Sequence, residues 1–174
     1  KSVLYAASLS DIKPEIASVY IYQDNQDLVF VATDSFRLAE KKIPFKASNP
    51  LPQILLPLKN ASEFIRVFEG LDEKITLHIS KNQLSASSSS NYFTSRIIDG
   101  VFPDYEQIIP KEALTTATVL KQEIIDAIKT TTTIVDRYNQ VIFDVDAKKQ
   151  QLLIKAKNSD VGESEVFIKT KSSG

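Results

Sequence analysis

The chain has no cysteine, one histidine and four glycines among its 174 residues. The absence of cysteine excludes disulfide bonds and thiolate metal sites. The single histidine, His78, cannot form a zinc site without other strong ligands, and its place in an alternating apolar strand favours a structural role. Four scattered glycines cannot supply a glycine-rich phosphate loop. The sequence therefore indicates neither a metal nor an organic cofactor.

Long apolar runs and a strong excess of positive charge are also missing. No segment is apolar enough to span a bilayer and the N-terminus does not resemble a signal sequence, so no membrane association is expected. The formal net charge of −1 argues against a protein that binds nucleic acid through bulk electrostatics.

A helical pattern recurs about every 60 residues. In each copy three apolar residues stand at positions i, i+1 and i+4, which places them on one face of a helix. The three copies are Val3, Leu4 and Ala7; Phe64, Ile65 and Phe68; and Ile124, Ile125 and Ile128. Asn60 is predicted to cap the second helix.

Strand patterns follow each helix, with polar turns typical of hairpins between the first two strands of each set. The predicted strands after the helices cover residues 19–22, 28–32 and 36–43; 75–79, 84–87 and 92–98; and 141–145, 152–156 and 166–170. Gln53–Leu56 and Thr116–Val119 are predicted to lead into the second and third helices. The repeat is strand–helix–strand–strand–strand, which predicts an α+β fold with helices on one face of antiparallel sheets.

Two such units would form one domain. Residues 1–114 supply two units, less the first strand, which is expected to be missing. Residues 115–174 supply a third unit, and the boundary is predicted within Lys111–Thr115, after Pro110. The chain is therefore expected to be a piece of a longer protein.

Two segments carry the most specific information. Val31–Ala39 places a polar turn between two strands and follows it with Phe36 and Arg37, and Tyr92–Tyr105 ends in an unusually apolar linker. Apolar residues gathered on a surface usually mark a binding site. Together with the repeat, these segments resemble the middle domain of the bacterial sliding clamp, the beta subunit of DNA polymerase III. The resemblance extends to the first half of the family's third domain.

The family binds short peptides of its partners in a cleft beside the middle domain. The resemblance implies an apolar floor and a polar rim at eight positions, with Thr33 and Arg37 at the rim. Ser35 stands where the family commonly has glycine, and Phe36 where it often has histidine or tyrosine. The eight cleft positions are Ile16, Thr33, Ser35, Phe36, Arg37, Leu38, Pro103 and Ile108.

The resemblance also implies loose contacts between basic side chains and DNA phosphates inside a ring. Lys13 and Lys59 match such positions, whereas Leu58 stands where a basic residue is frequent. Helix placement adds four candidates: Lys1, Arg66, Lys121 and Lys129.

The implied function is a processivity factor without catalytic residues. Its implied partners are duplex DNA, the polymerase III alpha subunit, the clamp loader and repair proteins, in a cytoplasmic homodimeric ring; this piece alone is expected to be monomeric. Two alternatives remain open from the residues: a β-rich interaction module without a nucleic-acid role, and a metal-dependent hydrolase using Asp34, Asp99 and Asp104.

Overall fold

The computed structural model describes residues 1–46 and 50–173, and these residues divide into two compact units. The first unit is Lys1–Tyr105 and the second starts at Glu106. This division lies nine residues before the predicted boundary at residue 114, and Gly174 of the predicted second segment lies outside the described residues. The assignment of the two segments to particular domains of the family stays a prediction.

Mixed helices and antiparallel strands confirm the predicted α+β class. Helix α1 is Leu58–Phe68 and helix α2 is Lys121–Thr131, and each begins within a few residues of a strand end. The strands are β1 Ser18–Asp24, β2 Asp27–Thr33, β3 Leu38–Pro44, β4 Ile54–Pro57, β5 Thr76–Ile79, β6 Gln83–Ser87, β7 Tyr92–Arg96, β8 Thr116–Thr118, β9 Ile142–Asp146, β10 Gln151–Asn158, β11 Gly162–Lys169 and β12 Lys171–Ser173.

The first unit contains two antiparallel sheets, ordered β3-β2-β1-β4 and β5-β6-β7. The second unit contains the sheet β11-β10-β9 and the pair β12-β8. In both units the helix packs on a sheet, since α1 contacts β1, β4 and β7 and α2 contacts β10 and β11. The central strands carry the core because they are paired on both sides and buried on the helix face.

The four-stranded sheet of the first unit buries both of its faces. Alternation along β1 sends Val19 to the helix side, where it packs with Leu56 and Ala61. Tyr20 and Tyr22 point to the opposite side, here called the outer face. A sheet that is buried on both faces needs a cover on the outer one, and residues 98–105 supply it.

The predicted first helix is wrong as an α-helix. Only the three residues Leu4–Ala6 form a helix, of the 3-10 type, and Ala7 is already extended with a ψ of 149°. The Oγ of Ser8 then accepts a hydrogen bond from the amide of Ser10, at 3.1 Å. Such side-chain bonds to the local backbone compete with helix formation. The predicted apolar residues do face the core, since Val3 and Ala7 are buried and Leu4 packs against the same cluster.

The predicted cap at Asn60 is also wrong. The cap position is Pro57, which makes no side-chain cap, and Asn60 is the third residue of α1. Its Nδ2 donates to the Oγ of Ser95 on β7, at 2.7 Å. The helix starts early because β4 runs straight into it and the amide of Leu58 already donates to the carbonyl of Ala17, at 2.9 Å.

Candidate functional site

One end of the outer face collects several of the predicted cleft residues. Thr33, the last residue of β2, pairs with Leu38, the first residue of β3. Both point to the outer face, because Thr33 is two residues from Val31 and Leu38 is two residues from Glu40. Ile16 lies just before β1 at the same end, with its carbonyl accepting from the amide of Ser8 at 3.0 Å.

The loop between β2 and β3 is held by the carboxylate of Asp34. Its Oδ1 accepts hydrogen bonds from the amides of Phe36 and Arg37, both at 3.0 Å, and its Oδ2 accepts from the Nε of Arg37, also at 3.0 Å. These bonds, the two from the backbone first, lower the pKa of Asp34 below its usual value because they stabilise the ionised carboxylate. The loop is therefore a rigid turn.

Thr33 completes this turn, and its place at the rim of a cleft stays a prediction. Its hydroxyl donates to the carbonyl of Arg37 at 2.8 Å and accepts from the amide of Ser35 at 3.1 Å. The residue is only 6% exposed. Because its hydroxyl donates its proton within the loop, Thr33 stabilises the loop. The guanidinium of Arg37, in contrast, is half-exposed at the surface.

Ser35 occupies a left-handed backbone conformation, with a φ of 75°. Only glycine adopts this region without steric cost. The next residue, Phe36, is 98% exposed. The strained turn thus holds an aromatic ring out in solvent.

The conformation of Ser35 leads to a stability prediction. Ser35→Gly removes a conformational cost of about 1–2 kcal/mol and adds about 0.5–1 kcal/mol of unfolded-chain entropy. We expect a net gain of about 0.5–1 kcal/mol in the free energy of unfolding, measured by urea denaturation. Ser35→Ala is the matched control, because it removes the hydroxyl and keeps Cβ. An equal gain in both variants would contradict a backbone origin.

The apolar linker noted in the sequence lies on the outer face. Phe102 is 8% exposed and Tyr105 is 4% exposed, whereas Pro103 between them is exposed. The linker also passes against the loop that carries Ile16, since a Cβ on Gly100 would lie 2.9 Å from the Cγ of Glu15. The linker thus passes the Ile16 loop at Gly100 before it covers the outer face at Phe102.

Four aromatic rings fasten this linker. Tyr20 stacks on Tyr22 and on Phe102, with ring centroids 4.8 and 4.9 Å apart. The hydroxyl of Tyr105 lies 2.7 Å from that of Tyr22 and donates to the Oε2 of Glu40 at 2.6 Å. Burial, followed by these hydrogen bonds, raises the pKa of Tyr105 far above its usual value. Sequence analysis missed Tyr20, Tyr22 and Glu40, although two tyrosines on the outward positions of an apolar strand signal a covered face.

Ile108 belongs to the second unit, where it is 67% exposed in a 3-10 turn, Glu106–Ile108. Its place in a cleft with residues of the first unit stays a prediction. Ile16, Leu38, Phe36, Arg37 and Pro103 all belong to the first unit and form the candidate surface.

The six candidate DNA contacts differ in their surroundings. Lys1 forms an ion pair with Glu69, and Arg66 forms one with Glu63, with the Nε of Arg66 2.9 Å from the Oε2 of Glu63. Both basic groups are therefore partly neutralised by neighbours. The other four, Lys13, Lys59, Lys121 and Lys129, are exposed.

The structure lends no support to the metal-dependent alternative. Within residues 1–46 and 50–173, no group of three or more His, Asp or Glu side chains is placed to hold a metal ion. The carboxylate of Asp34 instead accepts hydrogen bonds from its own loop. In the same residues, no helix combines the length and the apolar character that a membrane crossing requires.

A cavity of about 350 Å³ lies inside the first unit, away from the candidate surface. Its lining is almost wholly apolar, with Ile21, Phe30, Phe64 and Leu77 among the residues, and none of the predicted cleft residues takes part. It lacks the converging polar groups that orient a ligand, so we attribute it to the core.

Comparison with known proteins gives concordant results. A family model described as DNA polymerase III beta subunit, central domain, matches residues 1–104. The beta sliding clamp of Salmonella typhimurium is 30% identical over 111 residues, which is 64% of this chain and 30% of that protein. The beta sliding clamp of Synechococcus elongatus is 27% identical over 173 residues, 97% of this chain and 46% of that protein.

Solved structures show the same fold. The DNA polymerase sliding clamp of Bacillus subtilis superposes with a TM-score of 0.92 at 22% identity, covering 99% of this chain and 46% of that one. The chain thus spans from about a third to a half of the length of the relatives it matches.

Proposed function

The chain belongs to the DNA polymerase III beta subunit family, and from this premise we propose that it forms part of a replication sliding clamp. The intact clamp would be a homodimeric ring around duplex DNA in the cytoplasm. It would raise the processivity of the polymerase by topological linkage and would catalyse no reaction itself.

The observation that carries the peptide-binding part of this proposal is the surface at the end of the outer face. Phe36 projects into solvent from a turn that Asp34 and Thr33 hold rigid. Leu38 and Pro103 lie on the same sheet face, and Ile16 lies at the same end of the sheet. A rigid apolar surface with one cation, Arg37, suits a short peptide with an aliphatic and an aromatic anchor. Polymerase, clamp loader and repair proteins are the proposed sources of such peptides.

In this proposal the ring retains DNA by enclosing it, and electrostatic attraction to the phosphates contributes little. Helix α1 exposes Lys59 and Arg66, but Arg66 is paired with the half-exposed Glu63. Helix α2 exposes Lys121 and Lys129 but also Asp126. Such mixed faces bind phosphates weakly, since strong binding requires many uncompensated cations. A ring that slides on DNA needs weak contacts, so the four exposed lysines, Lys13, Lys59, Lys121 and Lys129, are the proposed phosphate contacts.

The peptide proposal is tested by titrating a fluorescent peptide with a Gln-x-x-Leu-Phe pattern into this chain and into the full-length protein. We expect saturable binding that weakens at least about 30-fold in Arg37→Glu and in Pro103→Asp, the size of a typical hot-spot loss. Lys81→Glu and Pro52→Asp are the controls, because they make the same reversal of charge and the same replacement of proline at exposed positions elsewhere in the first unit.

Each outcome has a separate meaning. Binding that the controls lose as strongly as the test variants would contradict the assigned surface. Binding by the full-length protein alone would show that residues outside this chain complete the cleft. For the DNA proposal, a full-length protein that remains on circular DNA and leaves linear DNA is the expected result, whereas equal retention on both would argue for an interaction module without topological linkage.

A further inference from the structure

The segment Phe102–Tyr105 is fastened at both of its ends. Phe102 stacks on Tyr20, and its ring lies 6.2 Å from that of Tyr105 in an edge arrangement. Tyr105 in turn meets Tyr22 through the hydroxyls, and Tyr22 stacks on Tyr20. The four rings therefore form a closed circuit on the outer face. Pro103 and Asp104 are the two exposed residues between its fastened ends.

The hydroxyl bonds of this circuit have one direction. The hydroxyl of Tyr105 donates its one proton to the Oε2 of Glu40. The bond between the two tyrosines must then be donated by Tyr22 and accepted by the oxygen of Tyr105. Tyr22, Tyr105 and Glu40 form a chain from β1 through the linker to β3. Glu40 also lies 3.9 Å from the Nζ of Lys42.

We propose that Tyr22 and Glu40 are positioning residues for peptide binding, which act by holding Pro103 in place. This inference rests on the peptide-binding function proposed above. Tyr105, which they hold, is 4% exposed, and their effect on a peptide is therefore indirect. The ring of Pro103 already restricts its own φ. Because the chain is held on both sides of Pro103, this segment loses little conformational freedom when a peptide binds, which lowers the entropic cost of binding.

The raised pKa of Tyr105 agrees with this arrangement, since the hydroxyl keeps its proton for Glu40. The sequence distance is also informative. Tyr22 and Tyr105 are 83 residues apart, so their bond ties the linker to a central strand and not to a local turn.

Tyr22→Phe is the first test, because it removes one hydroxyl and keeps the stacked ring. In the full-length protein we expect the fluorescent Gln-x-x-Leu-Phe peptide to bind roughly 3- to 10-fold more weakly, the equivalent of one net hydrogen bond. The change should lie mainly in faster dissociation. Glu40→Ala should weaken binding by a similar factor, and Glu40→Gln should restore most of it because its amide oxygen still accepts from Tyr105. Tyr5→Phe, which removes an exposed hydroxyl in the same unit, should leave binding unchanged.

A double-mutant cycle separates positioning from general loosening of the fold. If Tyr22 acts through Pro103, then Tyr22→Phe should cost little more once Pro103→Ala is present. All titrations are made at a temperature where circular dichroism shows each variant folded. Additive effects of the two changes, or wild-type affinity in both Tyr22→Phe and Glu40→Ala, would overturn the inference while the proposed function stands. A wild-type protein that does not bind the peptide would overturn both.

Discussion

Phe102→Ala is expected to lower the free energy of unfolding of the first unit by about 3–5 kcal/mol, the usual range for a buried phenylalanine. The ring is 8% exposed and packs against Val29, Val31 and Leu55 as well as Tyr20. Its loss would leave a cavity on the outer face and would remove the ring contacts of Phe102 with Tyr20 and Tyr105. Urea denaturation followed by circular dichroism measures the change.

Val101→Ala is the control for this prediction, since its side chain is the immediate neighbour but is 88% exposed. We expect its effect to stay within about 0.5 kcal/mol, as is normal for surface positions. The comparison decides whether the apolar linker is a structural cover or a free surface. If both variants lost the same small amount of stability, the linker would not be part of the core.

Local patterns account for most of what the sequence predicted. Alternation in β1 and β2 and the i, i+1, i+4 pattern in α1 and α2 are set by neighbours a few residues apart, so they are readable without the fold. The apolar linker could also be recognised from its local composition alone. Phe102 and Tyr105 are too apolar for a solvated connection, although the sequence could not say that they cover the outer face.

Contacts between distant residues account for what the sequence did not predict. The bonds from Tyr105 to Tyr22 and to Glu40 join positions 83 and 65 residues apart. Asn60 resembled a capping residue, but its side chain donates a hydrogen bond to Ser95, 35 residues away.

The resemblance to the family was strongest where the local chemistry is unusual. The turn at Ser35 has a positive φ, a conformation that favours glycine, so a serine is strained there. The side chain of Phe36 has no packing role in the fold, since it is almost wholly in solvent. A residue that the fold does not use is a reasonable candidate for partner recognition.

Ile154→Ala is the second change with a large expected effect, and it tests how α2 is held. Ile154 is fully buried in β10, the central strand of its sheet, and packs with Ala127 of α2 and with Leu152 and Ile168. We expect the second unit to lose about 2–5 kcal/mol of stability. Hydrogen exchange of the amides in β10 and α2 measures that loss directly.

Phe167→Ala is the matched control in the neighbouring strand, because this larger side chain is 60% exposed and is the immediate neighbour of the buried Ile168. Its removal should change exchange in α2 little, whereas Ile154→Ala should let α2 open without unfolding the rest of the molecule first. Since Lys121 and Lys129 are presented by this helix, a well-docked α2 is a condition for their proposed contact with DNA. Equal protection of α2 in the two variants would mean that Ile154 does not hold the helix, and the placement of both lysines would then need another support.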